Sequence, residues 1–351
     1  MIAYIIKRLL YGVLVLFGVT VIVFVLFNGL GDPARLTLGQ RADVGTVDAI
    51  KKELGLDQPI MVQFGMYMRD ISPISIHADT PENFEKYEYT KRLSLGSNVL
   101  VTKTPYLRRS YQTKRKVWDI LMAALPKTII LGLTSIILAT IIGISLGIIA
   151  AIRQFSGLDN TILIGSILGI SQPSYFSGIL LAMIFGYYLA PWTGLSHTGQ
   201  LYEMNNYGED VLVLKNLILP SLALGIRPIA IIVQLTRSAM IEVLSQDYVR
   251  TAYAKGLSRY TVIVKHALRN AMNPVVTVIS GWLASVLAGA YFIEIIFDYK
   301  GLGYETVNAL NNLDFPVAMG SILFAAVLFV FITIFVDIIY GILDPRVSFK
   351  K

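Results

Sequence analysis

The chain has 351 residues, 55% of them hydrophobic and only 15% charged, with a net charge of +7 and a mean hydropathy of +0.63. A soluble domain carries about a quarter charged residues, so this composition points to lipid. The positive charges lie between and beside apolar runs, not on one soluble face, which argues against nucleic acid as a partner. With no cysteine there is no disulfide framework, no thiolate nucleophile and no Cys-based zinc or iron–sulfur site.

A helix crossing the bilayer core needs about 20 apolar residues. Six stretches qualify: Leu9–Phe27, Ile129–Ile152, Thr161–Ala190, Leu217–Thr236, Ala271–Ile293 and Phe315–Val336. They predict an all-α integral membrane protein with six transmembrane helices. Lys7 and Arg8 precede the first run, which is longer than a signal-peptide core and is followed by no small-x-small cleavage site. Residues 1–30 therefore read as a retained helix.

Residues 31–126 form a long segment outside the membrane. TVDAIKKELGLDQP predicts a short helix, with Thr46 as cap, Asp48 at the positive end, Lys51 and Lys52 at the other, and Gly55 as terminator. The part from Ser72 to Lys116 is polar and without a clear period, and reads as loop with a short strand or two. The stretch 71–117 is long for such a connection and turns basic near its end (Arg108, Arg109, Lys114, Arg115, Lys116). That predicts either a docking surface or gate on the outer face, or a tolerated insertion.

Residues 127–343 hold the other five runs, and 344–351 form a tail. The third run predicts a tilt or break at Pro173, in LGISQPSYF. Small residues recur at four-residue spacing (Gly143 and Gly147, Gly165 and Gly169, Gly281, Ser285 and Gly289), which permits close helix approach, either for movement or for ordinary packing. Glu294 falls near the outer end of the fifth run and reads as interfacial.

Between the fourth and fifth runs lies a basic loop, 237–273, containing DYVRTAYAKGLSRYTVIVKHALRNAMNP. Ile241, Leu244, Tyr248 and Ala252 recur at helical steps and predict one apolar face. Gly256 stops that helix. Ser258 is placed to cap the next one, and Leu257 to staple onto Val262. Val264, Ala267, Leu268 and Ala271 predict the buried face of the second helix, and Pro274 the re-entry into the membrane. Anionic lipid would need only Lys and Arg here; capped helices around one glycine fit a docking element for a cytoplasmic partner.

The positive-inside rule orients the chain. With the N-terminus inside, inner segments carry Lys7, Arg8, Arg153, the 237–273 loop, Arg346, Lys350 and Lys351. The outer loops 191–216 and 294–314 carry only Lys215 and Lys300. Both termini are expected in the cytoplasm. His77, His197 and His266 are far apart, no HExxH occurs, and no GxxxxGK[ST] offers an ATP site.

The 247–274 loop closely resembles the cytoplasmic EAA-type loop of ABC-importer permeases, in the dipeptide/oligopeptide subfamily. Gly256 matches the motif's fixed glycine and Ala252 one of its alanines; Arg250 stands where the general motif has Glu. Ile5–Lys7–Arg8–Leu9, Asp32–Pro33–Ala34, ELGLDQP, LGISQPSYFSGILL, IFDYKGLG, LDFPVAMG and Asp344–Pro345–Arg346 extend the resemblance over nearly the whole chain.

The resemblance implies the type I ABC importer fold in a bacterial inner membrane. It also implies a non-catalytic transport subunit that binds no cofactor and leaves ATP and Mg to partner ATPases. The expected partners are a homologous second permease, cytoplasmic ABC ATPase subunits, an extracytoplasmic substrate-binding protein and membrane lipid. Asp247, Tyr248, Arg250, Thr251, Ala252, Ala254, Lys255, Gly256, Leu257 and Ser258 are the expected ATPase-coupling residues. The implied cargo is a dipeptide or oligopeptide, with nickel or another small solute as the alternative. The 71–117 stretch exceeds the subfamily's usual length.

Gln172, Pro173 and Arg227 are the candidate pathway residues. An Arg at mid-membrane costs about 2.5–3.5 kcal/mol on insertion scales, so it faces a partner, a cavity or water. Arg227 either meets the carboxylate of a translocating peptide, or pairs with Asp337 or with free carbonyls. A secondary transporter would show inverted repeats and intramembrane carboxylates, and an intramembrane enzyme a nucleophile–base pair or metal ligands. Neither pattern is evident.

Overall fold

A computed structural model describes residues 2–29, 57–205 and 207–343. The helix expected over 46–55 lies outside the described residues, as does the 344–351 tail. Each of the six apolar runs is largely helical. They lie in α1 (Ile2–Gly29), α4 (Val117–Ile152), the pair α5 (Gly157–Ser171) and α6 (Ser174–Met183), α7 (Ile218–Leu244), α9 (Arg269–Ile296) and α11 (Phe315–Leu343). Shorter helices are α2 (Ile60–Ile71), α3 (Pro81–Tyr87), α8 (Asp247–Ala254) and α10 (Leu302–Asn311).

The third run is broken where the sequence places the break. Gln172 is extended (ψ 141°), as a residue before proline tends to be, and Pro173 caps α6. With the π turn Ile184–Tyr188 that follows α6, the two halves meet at 113°. Pro274, by contrast, sits inside the continuous α9 and breaks no helix. α4 begins at Val117, ten residues before the expected 127, because its first turns are packed and not solvated: Val117 and Leu121 are fully buried.

The chain forms two compact units, one built on 125–304 with the first ten residues and the stretch from 328, the other on 11–124 with 305–327. In the first, α7 is the central helix. Gly143 and Gly147 of α4 face it so closely that added Cβ atoms would stand 2.7 Å from Ile232 and 2.6 Å from Thr236. These two glycines serve tight packing; at Gly165 a Cβ would meet nothing. At one end of α7, Leu219, Ala223 and Leu224 pack with Val286, Ala290, Ile293 and Phe297, and with Leu181 and Ala182 of α6.

The second unit corrects the loop reading of 72–116. Strands β1 (Ile74–Ala78), β2 (Thr90–Leu95) and β3 (Asn98–Thr102) form an antiparallel sheet in the order β1-β3-β2. β1 pairs Ile76 with Leu100 and His77 with Val99. The strand alternation is inverted: Ser75 and His77 point inward while Ile74 and Ile76 are exposed. An apolar-in pattern search therefore misses it. The inner face buries Tyr87, Tyr89, Val99 and Val101, each stabilising the fold by roughly 1.5–3 kcal/mol. Asp70, also buried, accepts from the Tyr87 hydroxyl at 2.8 Å, and the Lys103 ammonium reaches its backbone carbonyl. α2 packs along α1 through Phe24–Phe64 and Phe24–Tyr67 ring contacts, centroids 5.2 and 5.7 Å apart.

Candidate coupling loop and pathway residues

α7 ends at Leu244, and the extended Gln246 (ψ 148°) opens α8. This break resets the helical phase, so the face expected from Ile241, Leu244, Tyr248 and Ala252 is not continuous. Val249 and Ala252 are the buried residues of α8, packed with Val262 and beside Val243 and Leu244. Tyr248 is exposed, and its hydroxyl accepts from the Asn270 side chain at 2.8 Å.

The bend follows the capping logic of the sequence. Gly256 has φ +76°, and its N–H donates to Tyr253 while that of Leu257 reaches Ala252. A Cβ at Gly256 would meet nothing. The glycine is thus required for its left-handed backbone, not for space. Ser258 is extended, and its Oγ accepts from the Thr261 N–H at 3.3 Å, capping the turn Arg259–Thr261.

Leu257 does not staple onto Val262: it stays exposed, and Val262 packs on Val249 and Ala252 instead. Beyond the cap, a π-helical stretch Val262–Leu268 widens the turn and rotates the buried face to Val262, Ile263 and Ala267, leaving Val264 exposed. Asp247, Arg250, Thr251, Ala254, Lys255, Gly256, Leu257 and Ser258 are all exposed, with Tyr253 and Tyr260 beside them. Arg250 meets Asp247 at 3.5 Å, an exposed pair of little energetic weight. The result is a polar and aromatic knob on a small apolar base.

The base is anchored by an interaction that sequence reading missed. Asp159, 1% exposed at its side chain, takes a two-pronged contact from Arg237 at 2.6 and 2.7 Å, and accepts from the Phe155 N–H. It ties the start of α5 to the last two turns of α7, seven residues before that helix ends. The partners are 78 residues apart, and no local spacing marks them.

Glu294 is a second miss. Its side chain is fully buried within the protein. Its carboxylate accepts from Thr128 Oγ1 at 2.6 Å and from the N–H groups of Gly303 and Tyr304 at 2.7 and 3.0 Å, at the positive end of α10. Thr128 in turn accepts from the Leu302 N–H, and Tyr299 donates to the Lys127 carbonyl. The glycines of IFDYKGLG leave room for this cluster: a Cβ at Gly303 would collide with the Tyr291 backbone.

Of the pathway residues, Gln172 and Pro173 form the α5–α6 break, and Arg227 lies exposed on α7. Asp337 does not pair with Arg227. It meets Arg8 at 3.0 Å. Among the described residues Arg227 has no side-chain hydrogen bond or ion pair, and nothing joins it to Gln172.

Residues 143–349 match the family described as binding-protein-dependent transport system inner membrane component, and residues 1–132 match the N-terminal region of such membrane components. The chain belongs to this family. The permease is 33% identical to the dipeptide transport system permease protein DppB of Escherichia coli K12, over the full length of both chains. To the Bacillus subtilis protein of the same name it is 34% identical, covering 99% of the permease and 98% of the relative. A chain of the MetNI methionine ABC transporter aligns at 14% identity with a TM-score of 0.49, over 65% of the permease and 97% of that chain. The whole three-stranded sheet, 74–102, falls inside the region matched by the family's N-terminal part.

Proposed function

We propose that the permease is one half of the membrane pore of an ATP-driven importer for dipeptides or oligopeptides, working beside a homologous second permease. Cytoplasmic ATPase subunits, using ATP and Mg, dock on the 247–258 knob. An extracytoplasmic binding protein delivers the solute from the other side of the membrane. Full-length similarity to proteins named as dipeptide permeases supports the cargo.

The observation that carries this reading is the bend at Gly256, a capped turn whose exposed residues rest on the Val249–Ala252–Val262 base. Lipid contact would need no such geometry. ATP binding and hydrolysis in the partners bias two packings of the helix bundle, and a rigid knob transmits that bias. The test is Gly256→Val, since a β-branched residue is strained at φ +76° while meeting no neighbour. Uptake is expected to fall sharply with membrane insertion intact. Normal uptake together with normal ATPase association removes the coupling role.

A further inference from the structure

Arg227 is the tenth residue of α7, about 14 Å from the start of that helix at 1.5 Å per residue. At helical steps of four, three, four and four, the same face carries Ile231, Gln234, Ser238 and Glu242. Arg227, Ser238 and Glu242 are exposed, and Ile231 and Gln234 half-buried. The rest of α7 is largely buried, so this strip is the helix's uncovered face.

Continued outward from Arg227, the same face is closed. Pro220, Ala223 and Leu224 are buried there, and α6 packs over them once the chain has turned at Gln172–Pro173. On one side α5 lies against α7, with Gly169 so close that an added Cβ would stand 3.2 Å from Ile226 and 3.4 Å from Ala230, and with Asp159 on Arg237. On the other, α9 packs through Val275, Met272 and Ile279 against Ile232 and Leu235. The exposed face of α9 is itself polar or small at Asn273, Thr277, Gly281 and Ser285. The strip therefore opens toward the end of α7 that bears the coupling loop, and Arg227 stands at its closed end.

A guanidinium, glutamine, serine and carboxylate in register are not a lipid-facing surface; such residues line water or a protein interface. We propose that Arg227 is an anion-binding residue at the closed end of a water-filled groove and holds a carboxylate of the translocated solute. This rests on the peptide reading for the nature of the solute, but not for the charge or the water. A planar fork with five donors suits a carboxylate, and a single such contact, with Glu242 about 22 Å away at the open end of the strip, tolerates varied side chains on the cargo.

The cysteine-free chain allows a direct test. In the assembled transporter, Ile231→Cys is one turn from Arg227. It is treated with anionic sulfonatoethyl and cationic trimethylammonioethyl methanethiosulfonate, and adducts are read on this chain by mass. Both reagents are expected to react. The anionic-to-cationic rate ratio should fall about tenfold when Arg227→Gln is added and be retained with Arg227→Lys. Alanyl-alanine at millimolar concentration should slow the anionic reaction, and its C-terminal amide should not.

Absence of labelling by either reagent means that lipid or a subunit covers the strip, and overturns the proposal. So does a ratio indifferent to Arg227→Gln, the signature of a neutralising carboxylate on a neighbouring subunit, and so does equal protection by the amide. If the charge effect holds but the transporter accumulates no peptide, the peptide reading fails and the anion site stands.

Discussion

Replacing Glu294 by alanine deletes the acceptor for two backbone N–H groups and one hydroxyl in a fully buried site. Hydrogen bonds to a charged group contribute about 1.5–3 kcal/mol each, and buried donors left without a partner cost about 1–3 kcal/mol each. Because the three donors share one carboxylate, the contributions do not simply add. We expect a loss of about 3–5 kcal/mol, which for a chain of this size lowers the apparent melting temperature by about 4–7 °C. Glu294→Gln keeps one acceptor oxygen but turns an amide toward the remaining donors, and should cost about 1–2 kcal/mol. The assay is thermal unfolding of the purified permease in detergent, with Glu85→Ala on an exposed turn as control. If Glu294→Ala melts with the control, the cluster does not hold α4, α9 and α10 together and the reasoning fails.

Truncating either member of the Arg237–Asp159 pair should destabilise by about 3–5 kcal/mol, because each leaves an uncompensated charge; a double-mutant cycle that finds the two independent refutes the pairing. Burial first, and then the positive charges of Arg69 and Lys103, push the His77 imidazole down to about 4. The folded sheet thus binds fewer protons than the unfolded chain between pH 4 and the ordinary 6.5, so its stability should rise across that window and level off above it. Hydrogen exchange of the β3 amides as a function of pH reads this, and His77→Gln should flatten the slope. Single cysteines at Thr80, Gln200, Ser258 and Ser348 should react with an impermeant reagent added outside intact cells at the first two only; labelling at 258 reverses the orientation.

The helices of the bundle were legible because lipid demands long unbroken apolar runs, and the Pro173 break because proline removes a donor at a fixed place. The Gly256 bend was legible too, since its cap and terminator are local signals. The three-stranded sheet was not: β1 buries Ser75 and His77, the latter against Tyr87, and exposes Ile74 and Ile76, inverting the alternation a strand search relies on. Tyr248 and Val264 were assigned to the wrong face because a break at Gln246 and a π stretch at 262–268 each shift the helical phase. Asp159 and Glu294 were passed over because their partners lie far away in sequence, and charge near a helix end looks interfacial by default.

The central claim is that the 247–258 knob is the contact through which an ATPase drives this permease. Ser258→Cys, carrying a short photoreactive crosslinker, tests it in native membranes with Thr80→Cys as the control. The account predicts an adduct between position 258 and an ATPase subunit, none from position 80, and loss of the adduct when Gly256→Val is added. A transporter that takes up its solute normally while position 258 yields no ATPase adduct contradicts it.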